Sequence, residues 1–203
     1  MNNNYNATKW LKRHRNRNDI SAYLTHLTKP QGDLNSVEVL IKILKERKLL
    51  GSGRSGFIKG SEKAVCFQDA PLNGIGQNVL HEERMRKEFG GKIRYQAIGL
   101  MFSKPYIFKN GGRPVIYEDK ELASELFDEV SWRVVTMDFN DLHNIIDWSH
   151  EREWRMKGDF EFELSKVYVV LTNRNSYNYF IKKVPESILK EIKGIVTIDA
   201  IIT

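Results

Sequence analysis

One stretch restricts the fold more than any other: Asp147-Trp148-Ser149-His150-Glu151-Arg152-Glu153-Trp154-Arg155. Side chains alternate between the two faces of an extended strand. If Glu151 to Arg155 is extended, Glu151, Glu153 and Arg155 share one face, and Arg152 and Trp154 share the other. A face of that composition is costly to bury unless it lines a cleft. Two carboxylates one pleat apart also push their pKa values apart, which makes one of them a proton acceptor near neutrality. A second reading stays open, in which the face is exposed and laced by Glu/Arg pairs.

The rest of the chain must supply a scaffold for such a strand. A short helix is predicted over Ala7 to Asn16, with Trp10 and Leu11 packing down. Ser21 to Thr28 reads as a strand, with Leu24, His26 and Thr28 on one face. The helix over 36–49 has the clearest signals. Asn35 caps it, Glu38 closes a capping box, and Val37, Leu40, Ile41 and Leu44 recur at helical spacing. Gly51 is a plausible stop. Gly51 to Gly56 is a glycine-rich loop that lacks the Walker pattern and follows a helix rather than a strand. It is either a phosphate cradle using Arg54 or a plain connector. Strands are expected at 63–69, 93–103, 114–117, 160–164, 167–172 and 195–202, with 132–137 extended. Further helices are expected at 77–89, at 120–130 with an inner face of Leu122, Leu126, Phe127 and Val130, and from Pro185 to Gly194. Strands and helices do not alternate strictly. The expected class is therefore α+β with a mainly antiparallel, curved sheet, not a doubly wound fold.

No Pro/Gly/Ser linker or repeat divides the chain. The expected organisation is a basic arm over residues 1–19 followed by one domain over residues 20–203. The net charge is +6, and residues 1–20 hold five cations (Lys9, Lys12, Arg13, Arg15, Arg17) against Asp19 alone. Such an arm suits a polyanion or an acidic protein, or serves as a solubilising tail. The single cysteine, Cys66, excludes a disulfide framework and fits a reducing cytosol. No apolar leader or membrane span is read, so a cytoplasmic protein without membrane contact is expected.

Four features recur together in a family that this chain resembles. They are the strand Leu24-Thr25-His26-Leu27-Thr28, the helix and small-residue loop over 36–56, the strand Val65-Cys66-Phe67-Gln68-Asp69-Ala70-Pro71-Leu72, and the late Glu153-Trp154-Arg155. The middle of the chain, from Arg94-Tyr95 to Ile116-Tyr117, resembles AbiGi-type abortive-infection proteins of bacterial phage defence. The front end and the late glutamate resemble DarT-like and CmdT-like ADP-ribosyltransferases. The resemblance covers roughly residues 20–175. It implies an ADP-ribosyltransferase-like split sheet that binds NAD without a Rossmann turn. It also implies roles: His26 at the adenosine ribose with Thr28 beside it, Phe67 stacked on nicotinamide in place of the family's tyrosine, and Glu153 as catalytic carboxylate. Glu151 completes a Glu-x-Glu spacing, although the serine-threonine-serine strand that accompanies that spacing in one branch is missing. Arg54 is the candidate for the pyrophosphate. Arg155 would hold the Glu153 carboxylate or touch the acceptor.

Three activities follow as expectations. The first is an NAD-dependent mono-ADP-ribosyltransferase toxin of a phage-defence or toxin–antitoxin system that modifies RNA or single-stranded DNA, with an antitoxin protein as a candidate partner. The second is a metal-dependent nuclease using Asp147, Glu151 and Glu153, with Lys157 or His150 nearby. The third is a non-catalytic binding protein of the antitoxin kind. The histidines His143 and His150 do not give zinc-ligand spacing.

Overall fold

A computed structural model describes residues 5–53, 57–90, 96–125 and 128–202. In chain order the elements begin with helix α1 (Ala7–Arg15), strand β1 (Tyr23–Leu27), helix α2 (Ser36–Glu46) and the short strand β2 (Lys48–Leu49). Strand β3 (Ala64–Gln68), helix α3 (Leu72–Phe89), strand β4 (Gly99–Ser103) and helix α4 (Lys104–Lys109) follow. Next come β5 (Arg113–Pro114), β6 (Ile116–Glu118), α5 (Lys120–Glu125), α6 (Asp128–Ser131) and β7 (Val134–Thr136). The last part holds β8 (Glu153–Lys157), β9 (Phe160–Glu161), β10 (Tyr168–Leu171), α7 (Arg174–Lys183), α8 (Glu186–Glu191), β11 (Gly194–Thr197) and α9 (Asp199–Ile202).

The fold is α+β. Seven strands make one sheet in the order β11-β10-β4-β1-β3-β8-β5, and every pairing in it is antiparallel except β10 with β11. Two small ribbons, β2 with β9 and β6 with β7, stand outside that sheet.

The main core lies on one face of the sheet. Leu24, Val65, Phe67, Leu100, Phe102 and Val169 point into it from the strands. Helix α2 closes it with Val37, Leu40, Ile41 and Leu44, the residues its apolar periodicity marks. The capping box is present: the Asn35 side chain accepts from the N–H groups of Val37 and Glu38, and Glu38 accepts from the Asn35 N–H at 3.0 Å. The opposite face packs a smaller cluster in which Ile75 at the start of α3 meets Ala70, Ala97 and Val170.

Several expected boundaries move for physical reasons. Helix α2 ends at Glu46 because Arg47 turns left-handed (φ 53°) and sends Lys48–Leu49 to pair with β9, so Gly51 is not its stop. Helix α3 starts at Leu72, directly after Pro71, rather than at Gln77. The last expected strand stops at Thr197, where its partner β10 runs out, and α9 takes over. The helix expected over 120–130 begins as drawn, but Leu122 is half exposed rather than inward, and Leu126 and Phe127 lie outside the described residues. Helix α7 has no counterpart among the expected elements. Its signal is the Asn173/Ser176 capping pair ahead of the buried Phe180. In α1 no residue is buried and Leu11 is 40% exposed, so Leu11 does not pack down as expected.

Candidate functional site

Strand pairing decides which candidate residues meet. Residues opposite each other in an antiparallel ladder project to the same face. Thr25 pairs with Gln68, and Gln68 pairs with Glu153; Cys66 pairs with Arg155. These five side chains therefore share one face, that of the smaller cluster. Leu24, His26, Phe67 and Trp154 occupy the alternate positions and share the main-core face.

The Glu153 face carries a buried polar cluster. Glu153 and Arg155 retain only 8% and 3% of their exposure. The Arg155 Nε donates to Glu153 Oε1 at 2.9 Å, and its Nη2 donates to Oε2 at 3.0 Å. The remaining Nη1 donates to the Trp132 carbonyl at 2.8 Å. Burial pulls the Arg155 pKa down, but the hydrogen bonds and charge of Glu153 outweigh it, so the net shift is upward. The Glu153 backbone N–H donates to the Tyr117 hydroxyl at 3.1 Å, and that hydroxyl donates to the Trp148 carbonyl at 3.3 Å. Burial, with Glu153 alongside, pushes the Cys66 thiol well above its ordinary range. Gln68 is buried, and its side-chain carbonyl oxygen has no hydrogen-bond partner among the described residues. Of the two roles expected for Arg155, holding the Glu153 carboxylate is the one the geometry displays.

Glu151 departs from the expected strand. It ends a short 3-10 turn (Ser149–Glu151), and Arg152 then adopts a left-handed conformation with φ 45°. The extended run begins only at Glu153, so Glu151 and Glu153 are not one pleat apart. Glu151 is still near enough for its charge to raise the pKa values of Cys66 and Tyr117. Asp147 is exposed, and its carboxylate accepts from the Ser149 N–H at 2.8 Å. Among the described residues no three His, Cys, Asp or Glu side chains form a metal-holding group.

The NAD contacts implied by the resemblance fall elsewhere. Phe67 is 1% exposed. Its ring meets His26, Phe102 and Phe160 edge-on, at 5.9, 6.1 and 6.2 Å between centroids. It is a core residue and offers no face to nicotinamide. Thr28 is buried, with its hydroxyl held by the carbonyls of Ile98 (3.0 Å) and Ser36 (3.2 Å), so it is committed to structure. His26 is half-buried, and its Nδ1–H donates to the Cys66 carbonyl at 2.8 Å, which leaves Nε2 as the acceptor in the neutral ring. Burial holds the His26 pKa below its usual value. His26 thus lies across the sheet from Glu153, and a single ligand face joining the two is not formed. Arg54 lies outside the described residues.

Sequence reasoning missed a hollow that reaches Arg152, the residue before Glu153, and is lined by none of Glu153, Arg155, Gln68 and Cys66. About 170 Å³ opens at the ends of β3 and β8, between the start of α3 and the end of the arm. Asn18, Asp19, Pro71, Gln77, Asn78 and Arg152 line it. Arg152 Nη1 donates to the Asp19 carbonyl at 2.6 Å and so ties the arm to the strand that opens with Glu153. The Pro71-to-Asn78 register of α3 was the available signal. No described helix is long and apolar enough to cross a membrane. No family model, curated protein or solved structure matches this chain.

Proposed function

We propose that the chain is an NAD-dependent mono-ADP-ribosyltransferase of the toxin type that modifies nucleic acid and uses Glu153 as its carboxylate. One observation carries the reading: a buried glutamate opens a strand of the main sheet, and a bidentate arginine fixes its orientation, across the ladder from the unpartnered Gln68 carbonyl oxygen. A carboxylate held in this way is preorganised to stabilise positive charge developing on a ribose ring. In the reaction the bond between nicotinamide and the ribose C1' breaks, and nicotinamide leaves with the electron pair. A nucleophile on the acceptor then bonds C1' and gives up its proton. Gln68 adds support. Its orphaned carbonyl oxygen costs about 1–3 kcal/mol when buried, and an amide N–H such as that of nicotinamide would satisfy it. In this version the dinucleotide lies on the Glu153 face, and His26, Thr28 and Phe67 serve the core.

The test follows nicotinamide release from NAD with and without an oligonucleotide acceptor. Glu153→Gln is expected to abolish release while its melting transition stays cooperative. Full turnover by Glu153→Gln would remove that residue from the mechanism. Thermal shift against NAD supplies the binding arm, because a ligand of the folded state raises the melting temperature.

A second reading rests on a specific observation. Both carboxylate oxygens of Glu153 are already occupied by Arg155, which also suits a non-catalytic binding protein of the antitoxin kind, with the pair as an internal strut. That reading predicts no NAD turnover by the wild-type chain and retention of a protein partner after Glu153→Gln. The nuclease reading gains nothing from the geometry, since Asp147, Glu151 and Glu153 do not converge.

A further inference from the structure

Helix α1 is not held by a core. None of its residues is buried, and its first turn has no acidic residue. Helical periodicity puts Lys9, Lys12 and Arg13 on one stripe, all three exposed. The other side carries Trp10 and His14, half-buried, with ring centroids 4.1 Å apart. The Arg13 guanidinium sits 4.6 Å from the centre of the Tyr5 ring. Past the helix, the arm is pinned to the body by the Arg152 bond to the Asp19 carbonyl.

The basic surface continues onto the sheet. Arg15, the last residue of α1, is close enough to Tyr23 for its charge to act on the phenol. Tyr23 on β1 and Tyr168 on β10 meet edge-on at 5.7 Å, and both remain partly exposed. Lys193, exposed just before β11, places its ammonium 5.5 Å from the centre of the Tyr168 ring. Tyr23 and Tyr168 thus sit between Arg15 on one side and Lys193 on the other, and Tyr5 lies against Arg13. Phosphates alone would call for cations alone. Rings set between the cations suit unpaired bases, which stack on aromatic faces whatever their sequence.

We propose that the exposed face of α1, continued by Arg15, Tyr23, Tyr168 and Lys193, binds single-stranded nucleic acid, with phosphates on the cations and bases on the tyrosines. The arm, whose Asn18 and Asp19 line the hollow together with Arg152, would deliver that strand toward it. The inference deepens the nucleic-acid reading above and takes its biological sense from it, but its test needs no NAD. A failure here would leave nicotinamide release unaffected, and a failure of the Glu153→Gln experiment would leave binding unaffected.

The measurement is fluorescence anisotropy of a labelled single strand of about 15 nucleotides, near the upper site size of a single binding fold. It is read in RNA and DNA forms between about 50 and 200 mM salt. The combined variant Lys9→Glu, Lys12→Glu, Arg13→Glu should bind roughly tenfold or more weakly. Its salt slope should be shallower by about 2, since each lost phosphate contact on a single strand removes about 0.7. Tyr168→Ala should weaken binding roughly fivefold or more with little change of slope, the signature of a lost stack. Lys193→Glu, at an exposed position, should also weaken binding and make the salt slope shallower, and unchanged affinity there would remove Lys193 from the surface. Absence of saturable binding by the wild-type chain at low salt would overturn the proposal. So would unchanged affinity in the triple variant, or equal competition by an acidic polypeptide, which would point to an acidic protein partner instead.

Discussion

Arg155→Met isolates what the buried ion pair does for the fold. Methionine keeps most of the side-chain volume but removes all four guanidinium hydrogen bonds: two to Glu153, one to the Trp132 carbonyl and one to the Val134 carbonyl. Glu153, 8% exposed, then keeps its buried carboxylate without the guanidinium that pairs both oxygens, and two backbone carbonyls lose a donor. Removing one member of a buried pair costs about 3–5 kcal/mol. A domain of ordinary stability has about 5–15 kcal/mol in total, so the variant should fold but sit near its limit. With a urea dependence of about 2 kcal/mol per molar, its unfolding midpoint should fall by about 2 M. The double variant Glu153→Leu with Arg155→Met should recover most of that loss, because a well-packed apolar pair avoids the desolvation cost of both charges. A loss under about 1 kcal/mol for Arg155→Met would refute the argument that the pair is desolvated and mutually dependent. A double variant no better than the sum of its single changes would refute it as well.

Four further outcomes test separate parts of the structure. Gly99→Ala should destabilise by about 1–3 kcal/mol in urea titration, because an added Cβ would meet the His26 carbonyl carbon at 2.9 Å and the Leu27 Cα at 3.0 Å, in the β1–β4 ladder. Asn35→Ala should cost about 1 kcal/mol by the same measure through loss of the α2 cap. Cys66 should resist iodoacetamide in the folded chain at neutral pH and react once urea unfolds it, since burial holds its thiol protonated. His26 has a folded pKa below the unfolded value of about 6.5, so the unfolded chain takes up the proton first. Stability from that site is intact above about 6.5 and falls as pH drops below it; a His26→Gln variant, compared with wild type at neutral pH and near pH 5, should lose less in its urea midpoint.

Local signals were legible where a single element could satisfy them. The Asn35 and Glu38 capping box and the Val37, Leu40, Ile41 and Leu44 stripe describe α2 because cap and stripe both lie within one helix. The strands around His26 and Phe67 were legible for the same reason, since alternation is a property of one segment. Element ends were less legible, because partners set them: β2 exists only where β9 is available, and β11 stops where β10 stops.

The candidate site failed to assemble for a related reason. Alternation says that Glu153 and Arg155 share a face, and that His26 shares one with Leu24 and Thr28. It carries no information on whether those two faces are the same, because that depends on the registers of β1 on β3 and of β3 on β8. A shift of one residue in either pairing exchanges every inward side chain for its neighbour. The observed registers place Gln68 between Thr25 and Glu153, and that alone puts Phe67 and His26 on the far side. The left-handed Arg152 acts in the same way at the other end: one backbone dihedral takes Glu151 off the strand that its spacing suggested. The functional reading therefore rests on what the sheet joins rather than on the order of motifs along the chain. What it joins is Glu153, Arg155, Gln68 and Cys66 on one face, with the arm pinned beside them through Arg152. The tie between the arm and the strand that opens with Glu153 comes from the Arg152 bond to the Asp19 carbonyl, a contact that motif order alone could not have specified.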